Sequence, residues 1–267
     1  MQDPIISVVV PVYNVEKHLP ATVESLKRQT LGKNLWEAVF VDDCSADKSM
    51  SILKKLTEDQ KNMRIITMPR NSGVSSARNR GISEAQAEYI AQLDGDDMYE
   101  PPALEVVAKN IAENPDSGYF YSSHKRVDKE NKEIRAISAR PFDAEKLLHY
   151  NFISPVKVFS RTVDSAIGGF RDTYAEDWDH PLRALDVLEP GQFTRIKDSL
   201  YRYVMRNGSC IHATTESDKR AMVCKFLKPQ IEKRMGGPVE VFWSHNHTFE
   251  DGNSFNYYDW SRGVNND

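Results

Sequence analysis

Cysteine is scarce in this chain. Cys44, Cys210 and Cys224 are the only three in 267 residues, and no two are closely spaced. That excludes a disulfide framework and a cysteine-based zinc site, and it fits a reducing, cytoplasmic setting. A basic surplus is also missing. Thirty-five Lys and Arg face 39 Asp and Glu, a net charge of −4, so nucleic acid is not an expected partner. That balance leaves room for a local basic pocket around a phosphorylated ligand. The longest apolar run, near residues 5–12, is too short to cross a bilayer. Met1-Gln2-Asp3-Pro4 carries no basic segment followed by an apolar stretch, so no signal peptide is expected. Membrane contact, if the protein makes any, is expected to be peripheral, at the inner face. What remains, 40% hydrophobic and 28% charged residues, suits a globular protein with a sizeable core.

Strand-like and helix-like patterns alternate through the first part. Residues 5–12 are solidly apolar and read as a strand buried on both faces. Leu19, Val23 and Leu26 follow at helical spacing. Next come a strand at 38–41 ending in Asp42-Asp43, a helix over 51–56, a strand at 64–68 and a helix over 74–82. A strand at 89–93 runs into Asp94-Gly95-Asp96-Asp97, and Pro102 opens a helix reaching 111. Residues 118–121 form a further expected strand. This alternation predicts an α/β fold with a mostly parallel central sheet flanked by helices. Ligands of such sheets bind beyond the carboxyl ends of the strands. Val12-Tyr13-Asn14, Asp42-Asp43 and the acidic cluster at 94–97 would all gather there.

Beyond residue 122 the pattern becomes irregular. Strands are expected at 156–160 and 200–205, and helices at 176–185 and 218–235, the last with a kink at Pro229. The basic residues of that last helix would suit an anionic membrane surface, but its mixed charges favour an element packed on the protein. The tail from Trp243 reads as a strand pair or as a linker. The expected division is 1–122 for one half of a domain, 123–217 for its second half, and 218–267 for a C-terminal helix and tail.

The acidic strand ends carry the chemistry. Asp94, Asp96 and Asp97 repel one another and call for a cation or strong donors. Oxygen-only ligands select a hard divalent ion, Mg or Mn. Read alone, the cluster fits equally well a solvated Asp-Gly turn before a helix. Asp42 could accept from a nucleobase N–H or a ribose hydroxyl, while Ser45 or Asp47 could cap the helix that follows.

Four segments in order then resemble the motifs of family 2 glycosyltransferases of the GT-A, Rossmann-like fold. They are Ile6-Ser7-Val8-Val9-Val10-Pro11-Val12-Tyr13-Asn14, Val41-Asp42-Asp43-Cys44-Ser45-Ala46-Asp47, Asn71-Ser72-Gly73-Val74-Ser75-Ser76-Ala77-Arg78-Asn79-Arg80-Gly81, and Asp94-Gly95-Asp96-Asp97. The resemblance implies that Pro11, Tyr13 and Glu16 line a nucleobase pocket and that Asp42 hydrogen-bonds the base. It places Arg78 near the base and phosphates, Asp94 at the ribose or metal, and Asp96 on the metal, Mn or Mg. Cys44 stands where the family has Gly. A left-handed backbone there would strain a Cβ, so a loop of different shape is expected.

The resemblance extends to Gly168-Gly169-Phe170 followed by Glu176-Asp177, where relatives carry an acidic dyad. A sugar hydroxyl is a poor nucleophile and needs a base. Asp177 is assigned that role, with Glu176 orienting the acceptor. The alternative is that both acids simply suit a first helical turn. Tyr201-Arg202 through Arg206-Asn207-Gly208-Ser209 resembles a further segment, implying that Arg206 and Ser209 close over the diphosphate. A C-terminal extension would serve the acceptor side.

The function implied is inverting, metal-dependent transfer of a sugar from a nucleotide-diphosphate donor, UDP-linked by expectation. The acceptor would be a glycan or lipid-linked glycan hydroxyl in cell-surface polysaccharide synthesis. A nucleotidyltransferase would begin with a Gly-rich phosphate loop, and the first strand leads instead into Pro11-Val12-Tyr13-Asn14. A non-catalytic glycan-binding module would not need acids at 94, 96, 176 and 177.

Overall fold

The computed structural model describes residues 3–153, 155–173, 175–205, 216–248 and 254–262. The first strand, β1 (Ile6–Val12), alternates between two cores. Val8, Val10 and Val12 enter one with Leu19, Leu26 and Phe40, and Val9 enters the other with Ile82 and Phe159. Burial on both faces explains a strand rich in β-branched residues.

In chain order β1 is followed by α1 (Leu19–Lys27), β2 (Trp36–Asp42), α2 (Ser49–Thr57), β3 (Met63–Thr67), α3 (Val74–Glu84) and β4 (Tyr89–Gln92). Then come β5 (Met98–Tyr99), α4 (Ala103–Glu113), β6 (Tyr119–Val127), β7 (Glu133–Ile137), α5 (Ala144–His149) and β8 (Lys157–Ser160). The chain continues with α6 (Arg161–Ile167), α7 (Glu176–Ala184), β9 (Phe193–Val204), α8 (Glu216–Met235) and a hairpin, β10 (Val239–Thr248) with β11 (Ser254–Arg262). The main sheet has the order β3-β2-β1-β4-β8-β6-β9-β5, with β7 added to β6. From β3 to β4 all pairs are parallel. Beyond β4 the sheet is mixed: β8 is antiparallel to both neighbours, β6 and β9 are parallel, and β5 is antiparallel to β9.

Helices cover both faces, α1, α2 and α4 on one and α3, α6, α7 and α8 on the other. α3 lies hard against the sheet. A Cβ at Gly81 would come within 2.4 Å of Val9 Cγ1 and 3.1 Å of Val41 Cγ2, so glycine permits the contact. α8 runs through Pro229 and packs on the protein. Leu227 and Ile231 are fully buried, and Arg234 binds Asp186 just after α7. Within the tail, β10 and β11 form an antiparallel strand pair. The expected division at 122 falls within β6. Among the described residues no helix is long and apolar enough to cross a membrane.

Candidate active site

Parallel pairing brings three chain turns to one edge. The end of β1 at Val12 is in register with Asp42 at the end of β2, and β4 runs beside β1 toward Asp94. The first two turns are tied together. Asn14 N–H donates to Ser45 Oγ (3.1 Å), and Asn14 Oδ1 accepts from the N–H groups of Ala46 (2.8 Å) and Asp47 (3.3 Å). Asn14 takes a left-handed φ of 52°, and Cys44 does so too, at 63°. The altered loop expected at Cys44 is therefore not found. Its backbone keeps the conformation glycine would adopt, and the Cβ carries about 1–2 kcal/mol of strain.

Asp42 and Asp43 divide their roles. Asp43 accepts from the N–H groups of Ser72 and Gly73, both at 2.8 Å, and so anchors the entry to α3. Asp42 Oδ2 receives Ser45 N–H at 3.4 Å, while its buried Oδ1 has no hydrogen-bond partner. A buried acceptor without a donor is costly, and a ligand N–H or O–H would satisfy it. Pro11 is half-buried and Tyr13 exposed at 48% on the same edge. Glu16 is already engaged, its Oε2 accepting from Lys48 N–H at 2.9 Å at the start of α2. Asp47 supports that start as well, accepting from Ser49 N–H at 2.9 Å.

The acidic cluster separates into two parts. A Cβ at Gly95 would stand 2.7 Å from the Pro11 carbonyl oxygen, so the turn requires glycine there. Asp97 points into the fold. Its Oδ2 accepts from Tyr201 Oη (2.7 Å) and its Oδ1 from Val204 N–H (2.8 Å), tying the cluster to β9. Burial, followed by the charges of Asp96 and Asp94, pushes its carboxyl well above the usual range. Asp94 and Asp96 stay partly exposed.

Arg78 joins this cluster to the dyad. From the buried face of α3 it donates to Asp94 Oδ1 (2.9 Å) and to Glu176 Oε1 (3.0 Å), with its guanidinium 5.5 Å from the Phe170 ring centroid. Burial alone would lower the guanidinium, but the two carboxylates outweigh it and hold it above its ordinary value. Neighbouring α3 residues secure the same segment. Asn79 brackets the Phe170 backbone, accepting its N–H at 2.8 Å and donating to its carbonyl at 2.7 Å, and Ser75 donates to the Arg171 carbonyl at 2.8 Å. Glu176 and Asp177 open α7, where its N-terminal dipole favours negative charge. Burial and then Asp177 push the Glu176 carboxyl up, against the pull of Arg78.

Two partners of Asp177 were not anticipated. Asn151 Nδ2 donates to both the Asp177 carbonyl and Oδ2, each at 3.2 Å. Lys157 Nζ lies 3.9 Å from the same Oδ2, on a side chain only 2% exposed. A lysine inside the apolar strand Val156-Lys157-Val158-Phe159 was the available signal, because unpaired lysines are rarely buried. Arg206, Ser209 and the weaker candidate His212 lie outside the described residues.

The donor set fits a hard divalent cation. Asp94 and Asp96 are partly exposed and offer carboxylate oxygens only. Among the described residues no three His, Cys, Asp or Glu side chains converge to hold a metal unaided.

A profile of glycosyl transferase family 2 matches residues 7–178. The chain belongs to that family. This glycosyl transferase family 2 chain is 28% identical over 219 residues to GgaB of Bacillus subtilis, described as a minor teichoic acid biosynthesis protein, covering 80% of this chain and 24% of that one. It spans about a quarter of the length of the first curated relatives it matches. Its fold matches S. aureus TarS 1-349 in complex with UDP-GlcNAc, with a TM-score of 0.68, 20% identity, and coverage of 86% of this chain and 71% of that one. It also matches the mannosyltransferase PcManGT of Pyrobaculum calidifontis in complex with GDP-Man and Mn2+, with a TM-score of 0.61, 18% identity, and coverage of 88% and 65%. These likenesses support the GT-A form of the α/β fold.

Proposed function

We propose that the chain is an inverting, metal-dependent glycosyltransferase acting in cell-surface polysaccharide synthesis. The donor is a nucleotide-diphosphate sugar, UDP-linked, and the acceptor is a hydroxyl of a glycan or lipid-linked glycan. The observation that carries this reading is the Arg78 bridge, which joins the acidic strand end at Asp94 to the dyad at Glu176. Donor and acceptor chemistry thereby belong to one site.

Asp42, with one buried oxygen lacking a partner, receives the nucleobase. Pro11 and Tyr13 form the wall beside it, and Glu16 supports that wall through the start of α2. Asp94 and Asp96 would hold a divalent ion, Mn or Mg, which would supply positive charge opposite the departing diphosphate. Arg206 and Ser209 are assigned to the same phosphates. On the other side, Asp177 takes the proton from the acceptor hydroxyl as its oxygen bonds to the anomeric carbon. The bond from that carbon to the diphosphate oxygen breaks, and its electron pair leaves with the nucleoside diphosphate. Attack in line with departure inverts the anomeric centre. Glu176, fixed by Arg78, orients the acceptor. Residues 1–122 serve the donor, 123–217 the acceptor, and 218–267 close the acceptor side.

TarS in complex with UDP-GlcNAc supports the UDP reading and GgaB, a minor teichoic acid biosynthesis protein, the cell-surface reading, whereas PcManGT binds GDP-Man on a similar fold. The test is a screen of nucleotide-sugars for thermal stabilisation and hydrolysis, with and without Mn. Metal-dependent response to a UDP-sugar is expected. No response to any nucleotide-sugar would sink the proposal.

A further inference from the structure

We infer that Lys157 is a positioning residue for transfer: a buried cation that orients the Asp177 carboxylate toward the acceptor. The inference rests on the reading of Asp177 as the base. Three carboxylates of the site, Asp94, Glu176 and Asp177, face two buried cations. Arg78 is committed to Asp94 and Glu176 at 2.9 and 3.0 Å. Lys157 Nζ lies 3.9 Å from Asp177 Oδ2.

The location of Lys157 is not one that fold stability would choose. Its strand neighbours Val156, Val158 and Phe159 are all core residues. Desolvating an ammonium is expensive, and a methionine or leucine would fill a similar space without that cost. The strand is also rigid. β8 pairs on one side with β4, which leads into the acidic cluster, and on the other with β6, where Lys157 stands opposite Tyr121. Lys157 therefore holds a fixed position relative to Asp94. Asn151, from the segment that leads into β8, donates to the same Asp177 oxygen. Two groups from one stretch of chain address Oδ2 and set the direction of the carboxylate.

Charges of both signs face Lys157 among the described residues. Burial lowers the amine from its ordinary range. Asp177 and Glu176 of α7 and Asp94 after β4 raise it, and Arg78 of α3 lowers it. His180 of α7 also feels Lys157, and burial pushes that imidazole down to about 4, so it adds no competing charge near neutral pH.

The experiment compares the native chain with Lys157→Met, Lys157→Arg and Asp177→Asn. Turnover of UDP-glucose, UDP-galactose, UDP-N-acetylglucosamine and UDP-glucuronic acid is profiled against pH, and UDP binding with Mn is measured by calorimetry. In Lys157→Met we expect UDP affinity within about threefold of native and kcat lower by about tenfold or more near pH 7. The acidic limb of its kcat profile should move up by about one pH unit, because loss of a nearby positive charge eases protonation of the base. Lys157→Arg should restore the native limb. A Lys157→Met limb at the native position overturns the inference whatever kcat does, as does loss of UDP binding with the limb unmoved. Should Lys157→Met be too slow to profile, Lys157→Arg decides, and a limb displaced upward despite the retained charge overturns the inference. Asp177→Asn separates the two claims. Turnover kept in that variant removes the base reading itself, whereas turnover lost there with a native limb in Lys157→Met removes only the role of Lys157.

Discussion

From β3 to β4 every strand runs the same way, and several candidate residues gather at the strands' carboxyl ends: Tyr13 after β1, Asp42 at the end of β2, Asp94 after β4. From β8 to β5 the sheet is mixed, and residues that meet the site lie within strands, such as Lys157 in β8 and Tyr201 in β9. The two regions meet at α3, where Ser75, Arg78 and Asn79 on one face grip the segment from Phe170 to Glu176. A parallel region concentrates chemistry in short contiguous motifs. A mixed region assembles it across long sequence separations.

The sharpest way to test this division is to damage one side and read the other. Asp96→Asn, on the parallel side, should abolish Mn-dependent UDP binding and lower turnover by about 100-fold to 1,000-fold, since it removes a carboxylate that would hold the cation facing the leaving phosphates. Calorimetry beside a transfer assay checks it. Arg78→Met breaks the junction itself. It leaves Asp94 and Glu176 without their shared cation, so chemical denaturation should show a loss of about 3–5 kcal/mol, with turnover falling as well.

On the mixed side, α7 is held from beneath by His180, which contacts Asp164 Oδ1 at 3.1 Å and Tyr119 Oη at 3.3 Å. Burial pushes His180 down to about 4 from 6.5, so the unfolded chain takes up this proton first as pH falls. This group's contribution is intact above about pH 6.5 and is lost progressively toward pH 4, up to roughly 3 kcal/mol. His180→Gln should flatten that slope in denaturation curves measured between pH 7 and 4. The smallest effect is expected in the β2 turn. Cys44→Gly relieves a left-handed Cβ but frees the unfolded chain, so stability should rise by no more than about 1 kcal/mol. A clear loss would mean the Cys44 side chain stabilises the turn.

These regions also differ in how much could be read beforehand. β1, β2, β3, β4 and the helices between them followed from periodicity, because strands buried on both faces leave uninterrupted apolar runs. Asp42, Asp94 and Arg78 were found through motifs. The second region hid its short elements. β5 is two residues long, β7 is an exposed edge strand, and α5 spans a single short stretch. Asn151 and Lys157 act on Asp177 across 26 and 20 positions, a relation that only antiparallel packing reveals. Sequence motifs singled out Asp42 and left its neighbour without a role, yet Asp43 anchors the entry to α3 while Asp42 keeps a buried oxygen open.

The central claim is that the strand-end acids bind the donor while Asp177 handles the acceptor proton. Titrating UDP with and without Mn into Asp177→Asn, alongside a transfer assay, tests it most directly. Metal-dependent binding within about threefold of native, with turnover reduced by about 100-fold to 10,000-fold, is the predicted result. Native turnover, or loss of UDP binding in that variant, would contradict it.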